Sequence, residues 1–448
     1  MKKLLILTSV CLSACTIGAN FQRPSVATPE HWQEQQKAGP LSTIDPQWWQ
    51  AFGSTELNRL ITETLHFNND LAAAQQRIAQ ARAQAKIAGA NLWPSVGLQG
   101  NLSDSHNDNG DSLRAAGQFS VAYEVDLWGA NRARSDAGAA RFTSSVFARD
   151  ALQLTLMASV SQAYFNVLAF AELKRISQDF LQNLQQVLVI VEARYRAGAV
   201  SELDVLQQQT EVASARANLD FLQQQYTLAE NVLSILQGHP PQPRAFQNET
   251  LFAIRLPEVI ASQPVTLLER RPDIRQAEME LKAANADITV AKAAFYPKLQ
   301  LNLDTMIATP QPAGVALALL SSLSQPLFQG GRLEGGLENA TARNAELIEN
   351  YRKTILTAFK EVEDATAIRK NSTRRFEALS EGVAKAKQAY ELSLERYRHG
   401  AIDYQTLLIT QRSLLSAENS QIQARLDVMQ ALVNLYRALG GGWSAGKG

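Results

Sequence analysis

The sequence predicts a mainly α-helical chain built from two copies of one unit, each a helix, a β-hairpin, a long helix and a further helix. Three observations carry this. The stretch YRAGAVSELDVL (195–206) returns as YRHGAIDYQTLL (397–408) roughly 200 residues later, which marks duplication of a whole unit rather than a short solenoid module. Proline is absent between Pro94 and Pro240 and again after Pro326, and this leaves room for very long helices. Four segments alternate apolar with small or polar residues, which is the period of strands.

At the N-terminus, MKKLLILTSVCLSAC reads as a signal peptide, with Lys2 and Lys3 before a short apolar run and small residues. Simple secretion with cleavage near Ala14 is one reading. The other is a bacterial lipoprotein signal, because Leu12-Ser13-Ala14-Cys15 resembles the lipobox; Cys15 would then be lipidated and become the first mature residue. Val10 before Cys11 makes that thiol a poor competitor. Both cysteines lie in this stretch, so the rest of the chain has no disulfide framework, Cys metal site or thiol nucleophile. The 43 basic and 43 acidic residues cancel, which removes any bulk-charge argument for nucleic acid. A hydrophobic content of 46% is too ordinary for a bundle of transmembrane helices.

The two units align along their length. DLAAAQQRIAQARAQAKIAGANLWP (70–94) matches DIRQAEMELKAANADITVAKAAFYP (273–297), and DLWGANR (126–132) meets PLFQGGR (326–332). After Pro94, SVGLQGNL and QFSVAYEVDL alternate, the latter placing Phe119, Val121, Tyr123 and Val125 on one face. Their counterparts are KLQLNLDT, with Leu299, Leu301 and Leu303, and GVALALLSSL. Turn formers join each pair, in SDSHNDNGDS and ATPQPAG. The divisions are a signal peptide (1–14), an N-terminal segment (15–61), a first unit (62–237, hairpin 95–126), a linker (238–270), a second unit (271–439, hairpin 298–327) and a tail (440–448). Four strands close no membrane barrel alone, since the smallest ordinary one needs about eight. A small soluble hairpin domain is the alternative.

Residues 133–197 and 332–398 are predicted helical throughout, each ~100 Å long at 1.5 Å per residue. Such helices need coiled-coil partners or a tube. Leu219, Leu222, Tyr226, Ala229, Leu233 and Leu236 follow heptad spacing. So do Leu407, Thr410, Leu414, Ala417, Gln421, Ala424, Val428, Ala431, Leu435 and Ala438. The other faces read as polar but weakly charged, rich in Gln, Asn, Ser and Ala.

Together with the lipobox, these segments resemble the outer membrane factors of Gram-negative tripartite efflux systems, the TolC-type channels, in their lipoprotein (NodT-like) branch. The matching stretches are NFQRPSVATPEHW, WWQAFGSTELNRLI with NNDL, the two YxxG breaks, LERRPDI with AFYPKLQL, QPLFQGGR and ALVNLYRALGGGW, nearly end to end. The resemblance implies a homotrimer: four strands from each chain would form one twelve-stranded barrel in outer-membrane lipid, above an α-helical tunnel through the periplasm. Residues before 62, the linker 238–270 and the tail would form an equatorial belt. It also implies a periplasmic adaptor (a membrane fusion protein) and an inner-membrane pump of the proton-driven RND type, with no cofactor, no metal and no nucleic acid. The absence of Asp after Cys15 implies release to the outer membrane.

The same resemblance assigns the two breaks at Gly198 and Gly400 to the periplasmic tip. Glycine suits the left-handed turn after a helix end, and Tyr195, Arg196, Tyr397 and Arg398 sit in the last helical turns, where cations favour exposed carbonyls. Ordinary helical-hairpin caps are the plainer reading. In family members the closed tip is held partly by a tyrosine bonded to an aspartate, at positions matching Tyr397 and Asp204. Some relatives carry an arginine at the position of Ile402 and acids at those of Thr406 and Ile409. Asp403 remains the nearby acid, and Gln405 supplies an amide for a narrowed aperture.

No catalytic constellation is visible. His31, His66, His106, His239 and His399 are scattered, and GGWSAGKG (441–448) lacks the Ser/Thr of a phosphate loop. The expected role is a passive exit duct for drugs or other small toxic compounds, not an enzyme. A duct for ATP-driven protein or macrolide-type export and a lipid-anchored periplasmic coiled-coil scaffold are the alternatives; the apolar-faced hairpins argue against the scaffold.

Overall fold

A computed structural model describes residues 17–18, 21–33, 44–107, 110–242, 249–259, 264–309, 316–441 and 443. Cys15 lies outside them. The principal elements are α1 (Thr55–Phe67), α2 (Asn69–Gly89), β1 (Ser95–Asn107), β2 (Gly110–Val125), α3 (Ala130–Arg196), α4 (Glu202–Leu236), α5 (Pro272–Ala293), β3 (Lys298–Thr309), β4 (Ala316–Ser324), α6 (Arg332–Arg398) and α7 (Tyr404–Ala438). The duplication is exact in length where it matters: α3 and α6 have 67 residues each, α4 and α7 have 35 each.

Helix α3 starts three residues before the predicted 133. Asp126 explains this, because its carboxylate accepts from the N–H groups of Asn131 (3.0 Å) and Arg132 (2.9 Å), capping two otherwise unsatisfied donors. The chain forms two compact units: one of residues 1–27, 74–149 and 273–355, the other of 28–73, 150–272 and 356–448.

The first unit carries the sheet, ordered β1-β2-β3-β4 and antiparallel throughout. The register places Val96 opposite Val121 and Leu98 opposite Phe119. Val121 in turn faces Leu303, Tyr123 faces Leu301, and Leu299 faces Leu323. Period-two alternation therefore gathers the apolar residues of both hairpins on one face. That face is bare in the single chain: Leu98 is 83% and Leu319 75% exposed. The opposite face is polar, and across it Gln118 Nε2 donates to Asp304 Oδ1 (3.3 Å). Both outer strands have an unpaired edge, which only pairing with further strands closes.

Beneath the sheet, small residues bring helices close, with Ala137, Ala140 and Ala283 packed as one cluster. Trp128 packs at a tilt against Tyr296 and donates its indole N–H to the Pro297 carbonyl (2.8 Å). Arg23 pairs bidentately with Glu278, at 2.8 and 2.9 Å.

In the second unit the predicted heptad positions of α4 and α7 are all buried or half-buried. The expectation of polar remaining faces fails for the second half of α7. There Leu426, Met429, Leu432, Val433 and Tyr436 are buried as well, because other segments surround it. Trp48 stacks on Tyr436 (4.9 Å between centroids) and Phe52 packs against Phe165. Arg425 donates to the Ile254 carbonyl (2.6 Å), and Arg271 reaches both Glu361 (2.7 Å) and the Ala438 carbonyl (3.0 Å).

One carboxylate organises this region. Glu249 takes hydrogen bonds from the Ser54 hydroxyl, the Tyr164 hydroxyl (2.7 Å), and the Thr55 and Glu56 N–H groups (3.1 and 3.3 Å) at the start of α1. Burial pushes its pKa up, but the bonds from Ser54, Tyr164, Glu56 and Thr55 outweigh burial and hold it below the usual carboxylate value. Burial, then the bond to Glu249, raises the Tyr164 phenol.

Candidate functional site at the helical tip

The tip lies wholly in the second unit, where the α3–α4 and α6–α7 turns meet. Both turns end their helices the same way. Gly198 and Gly400 hold φ of 73° and 72°, a conformation that costs other L-residues steric strain. The N–H groups of Gly198 and Ala199 reach the carbonyls of Tyr195 and Arg194, and those of Gly400 and Ala401 reach Tyr397 and Arg396, all at 2.9 Å. This is the Schellman pattern, which satisfies helix-terminal carbonyls.

The following helices begin on side-chain caps. Ser201 and Asp204 form a reciprocal capping box: Ser201 N–H donates to Asp204 Oδ2 (3.0 Å) while Ser201 Oγ accepts from the Asp204 N–H. At the equivalent place in the second copy, Asp403 accepts from the Thr406 N–H (2.8 Å). The Thr406 hydroxyl, and after it that N–H bond, lowers the Asp403 pKa.

These caps correct the bond expected between Asp204 and Tyr397. Asp204 is engaged at the start of α4, and the Tyr397 hydroxyl is buried with no hydrogen-bond partner. Burial raises the Tyr397 phenol, opposed by the Arg194 guanidinium. Arg194 lies 4.9 Å from the ring centroid and donates to the Tyr397 carbonyl (2.9 Å), tying the two turns together.

A second tyrosine makes the buried cross-link that Tyr397 does not. Tyr404 OH donates to Gln208 Oε1 (2.7 Å), and Gln208 Nε2 donates to the Leu184 carbonyl (2.6 Å). Both side chains are buried, Gln208 at 0% and Tyr404 at 4% exposure. Burial is the first cause that raises the Tyr404 phenol. Gln405 Nε2 donates to Gln207 Oε1 (3.0 Å), and Arg412 pairs with Glu211. Around these bonds Val187, Val191, Tyr390, Leu407 and Leu408 form an apolar cluster, with Ile402 packed against it. Ile402 thus belongs to the tip core, and Ile409 is 65% exposed.

Of the other expected tip residues, Tyr195, Arg196 and Arg398 are exposed, and Arg196 donates to the Glu192 carbonyl one turn back (3.3 Å). Sequence reasoning missed Arg194, Gln208, Tyr404, Glu211 and Arg412. The S-x-x-D of Ser201–Asp204 was a readable capping signal, and it already bound Asp204 to its own helix. Among the described residues no cluster of His, Cys, Asp or Glu is placed to hold a metal ion.

A profile of the Outer membrane efflux protein family matches residues 60–239 and 264–441, one stretch in each repeat. The chain belongs to that family. It is 37% identical to the pyoverdine export outer membrane protein OpmQ of Pseudomonas aeruginosa, over 97% of this chain and 96% of the relative. It is 30% identical to the cation efflux system protein CusC of Escherichia coli O157:H7, covering 97% of both chains. The open-state structure of the MtrE outer membrane channel of Neisseria gonorrhoeae superposes with a TM-score of 0.86 at 28% identity, covering 96% of this chain and 99% of that one.

The chain is an outer-membrane efflux channel component that extends into the periplasm. The open-edged sheet is one chain's share of a trimeric β-barrel, and the long helices are its share of the tunnel. Barrel closure satisfies every strand edge in lipid and turns the bare apolar face outward. Members of the family are channels that work with adaptors and inner-membrane pumps.

Proposed function

We propose that this chain, anchored through lipidated Cys15, is the passive exit duct of a tripartite pump, gated at its helical tip and docked there by the hairpins of a periplasmic adaptor. The adaptor would reach the exposed surface around Tyr195, Arg196, Gly198, Arg398 and Gly400 in the helix-in-groove mode. The transporter behind it is of the proton-driven RND class, and the cargo is drugs or other small toxic compounds. The duct itself contributes no catalytic chemistry. OpmQ and CusC carry different cargoes in their names, pyoverdine and cations, on one shared channel design; this supports placing cargo selection in the pump.

The gate reading rests on one observation, the buried Tyr404–Gln208 bond across the two turns. It serves as the latch in place of a tyrosine–aspartate pair. Asp403 and Asp204 cap their helices, and Gln405 with Gln207 forms an exposed amide link at the aperture.

In cells, a photoreactive group at Ala199 tests docking. Capture of a periplasmic adaptor, identified by mass spectrometry, is the expected result, and its identity names the pump. Capture of an adaptor for an ATP-driven transporter would replace the RND assignment. No adaptor adduct while the pump is expressed would remove tip docking.

A further inference from the structure

Next to the tip cluster, with which it shares Tyr390, a cavity of about 360 Å³ opens between α3, α6 and α7, within the size range of small-molecule sites. Each helix presents one face to it at helical spacing. Ile176 and Phe180 come from α3, Tyr390 from α6 and Leu414 from α7; Ile176 and Tyr390 are buried, and the other two half-buried. These four make an apolar, partly aromatic floor. Gln411 also lines the cavity; it is 3% exposed, and its Nε2 has no hydrogen-bond partner.

The charges around this floor do not balance locally. On α3, Arg175 is committed to Glu172 (2.7 Å) and Asp179 (2.8 Å). On α6, Lys387 and Glu391 are exposed and opposite in sign, and Lys387 attracts Glu418 without forming an ion pair with it; the five charged groups lining the cavity leave one acid in excess. Glu418 of α7 remains. It is half-buried beside the apolar floor and makes no ion pair among the described residues. Burial pushes its carboxyl above the usual range, against the pull of Arg175 and Lys387 and with a smaller push from Asp179 and Glu172.

We propose that this cavity binds one amphipathic organic cation, its apolar body on the Ile176, Phe180, Tyr390 and Leu414 floor and its charge against Glu418. A half-buried carboxylate that makes no ion-pair contact is costly and is relieved by a cation brought to it. Aromatic faces at Phe180 and Tyr390 favour the same charge type, and Gln411 Nε2 is a spare donor for a carbonyl or ether oxygen of the ligand. The cavity is thus a cation-recognition site on the duct itself, distinct from the two glycine turns though it shares Tyr390 with the tip cluster.

The test uses the full-length protein in detergent and ethidium as probe, followed by fluorescence and equilibrium dialysis. The expected result is saturable binding of one ethidium per chain, at least tenfold weaker in Glu418→Gln. Size exclusion checks that the variant keeps its assembly. In the native protein binding strengthens as pH rises through the raised Glu418 titration, and in Glu418→Gln that dependence is lost. Uptake no greater than that of empty micelles, or equal affinity in both proteins, overturns the proposal. Adaptor capture at Ala199 is read independently, so failure of either leaves the other standing.

Discussion

Tyr404 and Gln208 decide the tip at the scale of single residues. Replacing Tyr404 by Phe keeps the ring in the apolar cluster and leaves Gln208 Oε1 buried without its donor. An unsatisfied buried acceptor costs ~1–3 kcal/mol, so Tyr404→Phe is expected to destabilise the linked turns by that order. Arg412→Ala removes an ion pair whose arginine is 57% exposed and whose Glu211 is 16% exposed, and should cost about 1 kcal/mol, shrinking in high salt. Double-mutant cycles on thermal unfolding, at low and high salt, separate the two links. The glycines differ in kind. A Cβ at Gly198 meets nothing within 4 Å, so Gly198→Ala carries only the left-handed backbone strain, ~1–2 kcal/mol. At Gly440 the same Cβ would stand 2.4 Å from the Arg270 carbonyl oxygen. Gly440→Ala is therefore expected to lower the melting temperature clearly more than Gly198→Ala.

Among the elements, what the sequence made legible was whatever repeats or alternates. Proline-free spans located α3 and α6, and period two placed Phe119, Val121 and Tyr123 on the face shared with Leu301 and Leu303. Contacts formed between helices were less visible. Tyr397 and Asp204 both lie at the tip turns, yet a capping box claims Asp204, and the buried bond there joins Tyr404 to Gln208, whose partnership spans two hairpins. Arg194 is one position before the repeated motif, and nothing in the repeat distinguishes it from Arg396. The all-round burial of Leu426, Met429, Leu432 and Val433 was hidden too. Those residues read as ordinary helix; their neighbours Tyr436 and Arg425 meet Trp48, Phe52 and the linker residue Ile254, contacts no local pattern announces.

For the whole molecule, acid tolerance turns on the linker clasp at Glu249. Glu249 has a depressed pKa, so its stabilising contribution is full above the unfolded carboxylate value, about 4. That contribution fades as pH falls through the lower folded value. Melting temperature should drop on acidification, and Glu249→Gln should lower stability at neutral pH while flattening that acid dependence. Equal pH profiles in the two proteins would show that the clasp does not govern acid stability.

The gated channel itself is tested most directly by planar-bilayer conductance of the purified full-length protein beside Tyr404→Phe. A trimeric duct latched at its tip predicts a channel that rests mostly in a low-conductance state, with Tyr404→Phe raising the open fraction severalfold. The absence of conductance from both proteins would contradict the duct. Identical open fractions in the two would contradict the latch.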